Sequence, residues 1–184
     1  MNIKQLNNLI IRDRASRGIP DYDYTDGYVD YDTGDLLFDY GFNVPCDTYF
    51  HNEDEFADYP EGTPERSQWE GREDNWEMCG SGKFLNYPDN FIIRYRFARP
   101  SYIQVLEWFE EKFDAKIDIS STKISVKNLH IPHVDEGYYV ESWDFVMKTP
   151  ISHPILLASM TVYMIMSRFK LLAGRVEGPL DIIK

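Results

Sequence analysis

The uneven distribution of charge is the sequence feature that most constrains how this chain folds. Of the 184 residues, residues 21–78 hold 18 acidic residues and only two basic ones, Arg66 and Arg72. The whole chain carries a formal net charge of −12, so the residues outside this segment are slightly basic in sum. The sequence therefore predicts a near-neutral folded body that bears one strongly acidic segment.

The acidic segment is also rich in aromatic residues, which distinguishes it from a solvated charged tail. Tyrosine supplies a large contact area at a low cost in rotamer entropy, as it does in binding surfaces. We therefore predict a partner-binding site in the first part of the segment. Its residues are Asp21, Tyr22, Asp23, Tyr24, Asp26, Tyr28, Asp30, Tyr31, Asp32 and Asp35. The alternative interpretation is a solvated hairpin whose tyrosines are half-buried against the body.

The first half of the chain is predicted to contain one helix, one hairpin and a long loop. Apolar residues at helical spacing predict a short amphipathic helix over residues 2–14. Residues 28–32 and 36–40 flank a Thr-Gly pair and predict a β-hairpin. Residues 43–90 carry four prolines and show no sustained periodicity, which is typical of a long loop or arm.

The second half of the chain has a clearer pattern of strands and helices. Residues 91–97 alternate apolar and basic side chains, as a strand does, and Ser101 with Gln104 predicts a capping box that opens a helix. Three further strands are predicted, over residues 116–120, 123–131 and 138–148. A final helix, apolar nearly all round, begins at Pro154; such a helix is central in its domain or packs on a second chain.

These elements predict an α+β fold, in which two main helices pack on one face of a small antiparallel sheet. We expect a single domain with three parts. Residues 1–20 form the N-terminal helix, residues 21–90 form the acidic hairpin and long loop, and residues 91–184 form the α+β core module.

The sequence PSYIQVLEWFEEK at residues 100–112, followed by strands and an apolar C-terminal helix, resembles small uncharacterised proteins encoded by phages and prophages. Those proteins share a Pro-Thr/Ser-Tyr start, a tryptophan in mid-helix and a Glu-Lys pair. The resemblance covers residues 100–184 and does not include the acidic segment. It implies a phage setting and transfers no catalytic residue.

Two patterns carry the ligand types that metal ions use. The aspartates between residues 21 and 32, with Gly27 among them, are similar to a calcium-binding loop, but the glycine falls one position late. His130, His133 and Asp135, with Glu136 beside them, could bind zinc or another divalent metal. The alternative for the histidine pattern is a polar loop between two strands.

No other cofactor is predicted. Gly82 and Lys83 are followed by Phe84 and not by the Ser or Thr that a phosphate-binding loop requires. The sequence also lacks the motifs of dinucleotide-binding folds and of serine hydrolases.

The location of the protein is predicted from the length and the continuity of its apolar segments. Residues 1–14 lack the unbroken apolar run of a signal peptide, and residues 155–166 are too short to span a bilayer. We therefore expect no membrane contact and no export by a signal peptide. The expected location is the cytoplasm of a host cell or a phage particle, with Cys46 and Cys79 as reduced thiols.

Together these patterns favour a non-enzymatic interaction protein. The acidic segment would dock on a basic surface of a partner protein, in the manner of an inhibitor or a nucleic-acid mimic. The net charge argues against direct binding of nucleic acid. Two alternatives stay open: a structural or accessory component of a phage particle that assembles as a homo-oligomer or subunit, and a metal-dependent enzyme centred on the histidine loop.

Overall fold

The computed structural model describes residues 1–20, 26–51, 76–79, 82–86, 96–133 and 137–173. These residues form helices and antiparallel sheets, which confirms the predicted α+β class. The helices are α1 (Ile3–Ser16), α2 (Tyr31–Asp39), α3 (Tyr102–Lys112) and α4 (Pro154–Ala173). The strands are β1 (Thr48–His51), β2 (Trp76–Met78), β3 (Arg96–Ala98), β4 (Lys116–Ile119), β5 (Lys123–His133) and β6 (Gly137–Val146).

The described residues divide into two compact units. The first unit comprises residues 1–28 and 101–173, and the second lies within residues 29–100. Each unit contains one antiparallel three-stranded sheet, in the order β4-β5-β6 in the first and β2-β1-β3 in the second. The predicted acidic segment therefore contributes structured elements to the second unit.

The sheet of the first unit confirms the three strands predicted in the second half of the chain. Lys116 lies opposite Lys127 in the pairing of β4 with β5, and Lys123 lies opposite Val146 in the pairing of β5 with β6. Side chains alternate along β4, where Ile117 is buried and Lys116 is exposed. Because this alternation places apolar groups on one face only, the other face of the sheet carries mostly polar side chains.

Helix α3 begins with the predicted capping box. The Ser101 hydroxyl accepts the Gln104 N–H at 3.2 Å, and the Gln104 side-chain oxygen accepts the Ser101 N–H at 2.9 Å. These two bonds satisfy donors that the first turn of a helix otherwise leaves without partners. Farther along, the rings of Phe109 and Phe113 lie 5.7 and 4.8 Å from the ring of Phe169, which packs α3 against α4.

Helix α1 belongs to the same unit and confirms the predicted N-terminal helix. It buries Ile3, Leu6 and Ile10 and contacts α3, α4 and β4. Just before the helix, the Met1 amino group donates to the Ile119 carbonyl at 2.6 Å, and the Ile119 N–H donates to the Met1 carbonyl at 2.9 Å. Met1 therefore pairs with the end of β4 as a neighbouring strand residue does.

Helix α4 is apolar nearly all round, yet only part of its surface is buried. Ile165 and Phe169 lie in the core, whereas Leu156 is 54 % exposed and Tyr163 is 71 % exposed. None of the helices in the described part of the chain combines the length and the apolarity that a membrane span needs.

The second sheet differs from the predicted layout. We expected residues 91–97 to precede α3 in the same sheet as β4–β6, but β3 pairs with β1, and residues 91–95 lie outside the described residues. Two hydrogen bonds fix this placement: the Thr48 hydroxyl donates to the Arg99 carbonyl at 2.9 Å, and the Arg99 N–H donates to the Thr48 carbonyl at 3.0 Å. Strands β1 and β2 lie within residues 43–90, for which the sequence predicts a long loop. Strands of four and three residues are too short to show periodicity, so the sequence does not indicate them.

The predicted hairpin over residues 28–40 is wrong, because Tyr31–Asp39 form helix α2. The Asp30 carboxylate accepts the Thr33 N–H at 2.8 Å and so caps the helix. Gly34, which suggested a turn, is required for packing instead. A Cβ atom there would lie 2.9 Å from a Phe50 ring carbon and 3.0 Å from a Phe97 ring carbon.

We predict that Gly34→Ala destabilises the protein although alanine is the better helix former. The gain in helix propensity is about 1 kcal/mol, while forcing a methyl group against two buried rings costs roughly 1–3 kcal/mol. Urea unfolding should therefore show a lower unfolding free energy for this variant. Gly82→Ala is the control, since no atom lies within 4 Å of the added methyl group. A Gly34→Ala protein more stable than wild type would contradict the close packing of α2.

Candidate functional site

Three aspartates form an acidic row on one side of α2. Asp32, Asp35 and Asp39 follow one another at spacings of three and four residues, which places them on the same side of a helix. The rise of the helix separates them by about 4.5 and 6 Å along its axis. Asp32 is exposed, Asp35 and Asp39 are half-buried, and Tyr31–Asp39 contain no lysine, arginine or histidine. We call these three residues the acidic face of α2.

The adjoining side of α2 packs into an aromatic core. The Tyr31 ring meets the rings of Phe50 and Phe97 edge-on, with centroids 5.5 and 5.0 Å apart. Phe38 packs on Phe97 at 6.3 Å, and the Arg99 guanidinium lies 5.6 Å from the centre of the Phe50 ring. Edge-to-face contacts of this kind add to the burial energy of the rings. The helix is thereby held on the sheet, with Asp32 exposed and with Asp35 and Asp39 half-buried.

The end of α2 shows how burial changes the acid–base properties of this region. Tyr40 is only 4 % exposed. Burial raises the pKa of its phenol to about 12, and the negative charge of Asp39 acts in the same direction. The phenol is therefore neutral at physiological pH, and the side chain is part of the buried core.

The structure separates the residues of the predicted partner-binding site into several roles. Asp21, Tyr22, Asp23 and Tyr24 lie outside the described residues. The Asp26 carboxylate pairs with Arg17 at 2.7 Å, and the Asp30 carboxylate caps α2.

The remaining predicted residues are Tyr28 and three residues of α2. Tyr28 is half-buried and forms an isolated β-bridge with Ser101. Tyr31 faces the aromatic core, while Asp32 and Asp35 lie on the acidic face. The third member of that face, Asp39, was not among the predicted site residues. Reading residues 31–39 at helical spacing, and not as a hairpin, would have found it.

The residues of the predicted metal sites are only partly described. His130 lies on β5 opposite Val140, His133 ends that strand, and Asp135 lies outside the described residues together with Glu136. Within the ranges that the structure describes, no group of three or more His, Cys, Asp or Glu side chains is arranged to hold a metal ion.

The two cysteines are reduced thiols in the second unit and form part of its hydrogen bonding. The Cys79 sulfur accepts the Phe84 N–H at 3.0 Å, and the thiol donates to the Cys46 carbonyl at 3.3 Å. Burial raises the pKa of Cys46 to about 12, with the charge of Asp47 adding to the effect, and burial also raises the pKa of Cys79. Because the thiolate is the reactive form, these shifts suppress nucleophilic chemistry at both residues.

No family model, no curated protein and no solved structure matches the chain.

We predict that the stability of the protein falls as the pH is raised from 10 towards 12, partly because of Tyr40. An unfolded tyrosine ionises near pH 10, whereas the folded-state pKa of Tyr40 is raised to about 12. The neutral phenol therefore contributes stability below pH 10 that is lost as the pH rises through 12. Urea unfolding at pH 8 and pH 11 should show a smaller loss for Tyr40→Phe than for wild type. Equal losses in the two proteins would contradict the raised pKa.

Proposed function

We propose that this protein is a non-enzymatic interaction protein, whose acidic face of α2 docks on a basic surface of a partner protein. The observation that supports this proposal is the arrangement of Asp32, Asp35 and Asp39 on one side of a helix whose adjoining side is packed into aromatic core. The helix therefore holds these three residues at a fixed spacing.

Fixed spacing matters because preorganised charges bind with a smaller entropic cost than charges on a flexible segment. Helix α2 belongs to a sequence segment that carries a strongly negative charge, since residues 21–78 contain 18 acidic residues and only two basic ones. Such a charge speeds and orients the encounter with a positively charged partner. Proteins that normally bind nucleic acid are one such class, because they carry rows of lysine and arginine that face phosphates.

The setting that we propose is a phage-encoded protein acting in the cytoplasm of a host cell. The resemblance of residues 100–184 to small phage and prophage proteins supports this setting. The acidic face lies outside that stretch of sequence, so it would supply the specific function on a shared scaffold.

We predict that Asp32→Asn/Asp35→Asn/Asp39→Asn loses binding to the partner by on the order of tenfold or more, since three charge contacts are removed together. The immobilised protein is exposed to a bacterial lysate at about 50 mM and about 500 mM NaCl, and the retained proteins are quantified by mass spectrometry. Salt screens exposed charges, so retention should also fall at the higher concentration.

The matched control is Glu107→Gln/Glu110→Gln/Glu111→Gln on α3, which removes the same number of charges from another helix. This control should retain the partner as wild type does. Equal retention by all three proteins would contradict the proposal, and so would retention that is unchanged between the two salt concentrations.

A further inference from the structure

The polar face of the β4-β5-β6 sheet carries two lysines that oppose each other. Lys116 on β4 lies directly opposite Lys127 on β5, and both residues are exposed. Directly opposed residues of an antiparallel pair have Cβ atoms about 5 Å apart, and like charges in this position destabilise a sheet. A negatively charged group bound between the two ammonium groups would remove that repulsion. We call Lys116 and Lys127 the lysine pair.

The carboxylates on the same face of the sheet leave the lysine pair without an ion pair in the described part of the chain. The Asp144 carboxylate pairs with Lys123 at 2.8 Å and accepts the Ser125 hydroxyl at 2.6 Å. The hydrogen bond from Lys123 is the largest cause of the lowered pKa of Asp144, and the charge of Lys127 contributes least. Asp118 lies opposite Ser125, one position farther along the sheet than the lysine pair.

The acidic face of α2 matches the lysine pair in charge and in spacing. Residues three or four apart on a helix, as Asp32, Asp35 and Asp39 are, have Cβ atoms about 5–6 Å apart. This spacing is close to the separation of about 5 Å between the two lysines. Two neighbouring carboxylates of the acidic face can therefore each meet one ammonium group. Tyr31–Asp39 contain no lysine, arginine or histidine, so the helix brings no like charge to the lysines.

Resting on the proposed function, we propose that the acidic face of α2 binds the lysine pair of a second copy of this chain. The two surfaces differ, so the contact is head-to-tail: each molecule uses its acidic face with one neighbour and its lysine pair with another. Contacts of this kind build open chains or closed rings, depending on the rotation between neighbours.

The net charge of −12 does not prevent this contact, because the charge is unevenly distributed. Residues 21–78 hold 18 acidic residues and two basic ones, whereas the rest of the chain, which includes the lysine pair, is slightly basic in sum. A head-to-tail contact therefore places the acidic segment of one copy against the slightly basic part of the next. Charges farther apart than the screening length of about 8 Å at physiological ionic strength contribute little.

Sedimentation velocity of the full chain over about 1–500 μM tests the association, a range suited to a contact made by a few exposed ion pairs. At about 50 mM NaCl the sedimentation coefficient of wild type should rise with concentration, and at about 500 mM NaCl it should stay at the monomer value. Lys116→Gln/Lys127→Gln should stay monomeric at both salt concentrations. The matched control is Lys4→Gln/Lys170→Gln, which removes two exposed lysines from α1 and α4 and should associate as wild type does.

Mixing two variants tests the head-to-tail arrangement and shows at the same time that both variants are folded. Asp32→Asn/Asp35→Asn/Asp39→Asn retains the lysine pair, and Lys116→Gln/Lys127→Gln retains the acidic face. Neither variant should associate alone, whereas the mixture should form a 1:1 dimer and nothing larger, since each molecule has one intact surface. A monomeric mixture, or association of either variant alone to the extent of wild type, would overturn the proposed contact.

Failure of the self-association is distinguishable from failure of the proposed function. Wild type that is monomeric at every concentration would overturn the contact between copies. If the triple Asn variant of the acidic face then still loses a protein retained from the lysate, the acidic face binds a different basic partner, and the proposed function stands. If wild type is monomeric and the triple variant retains every lysate protein as wild type does, both proposals are overturned.

Discussion

The close approach of α2 to the rings of Phe50 and Phe97 organises the second unit of this protein. The approach is available only because residue 34 is glycine, since a Cβ atom there would lie about 3 Å from both rings. With the helix at this distance, Tyr31 and Phe38 join the aromatic core while Asp32 is exposed. The aromatic and the acidic residues of one segment thereby lie on adjoining sides of a single helix, and the proposed function depends on that arrangement.

The elements that the sequence predicted well are those whose signals are local. The capping box at Ser101 and the alternation in β4 are set by residues within a few positions of one another. The sequence of α2 predicts a hairpin because the contact that explains its glycine is long-range: the Thr-Gly pair is typical of a turn, and only the packing on the rings of Phe50 and Phe97 requires glycine in a helix here. Asp30 at the N-cap and Asp32 in the first turn are typical of a helix. The sequence therefore carries both a helix pattern and a turn pattern, and tertiary packing favours the helix.

The sequence predicts that the candidate site lies in the acidic segment, but it does not show which of the acidic residues stabilise the fold. The sequence cannot distinguish a carboxylate that caps a helix, as Asp30 does, from one that is displayed, as Asp32 is, because both are aspartates in an acidic run. Asp26 likewise has a structural role, because its carboxylate pairs with Arg17. The tyrosines divide in the same way, since Tyr40 is buried and Tyr31 packs on the core. The residues that we propose for partner binding are therefore those of the acidic face of one helix.

The organisation of α2 can be observed directly by nuclear magnetic resonance. Helical carbon chemical shifts over residues 31–39, together with nuclear Overhauser contacts between the Gly34 α-protons and the ring protons of Phe50 and Phe97, are the predicted result. Extended shifts over residues 28–32 and 36–40 without those ring contacts would restore the hairpin. That result would contradict both the packing of α2 and the presentation of its acidic face.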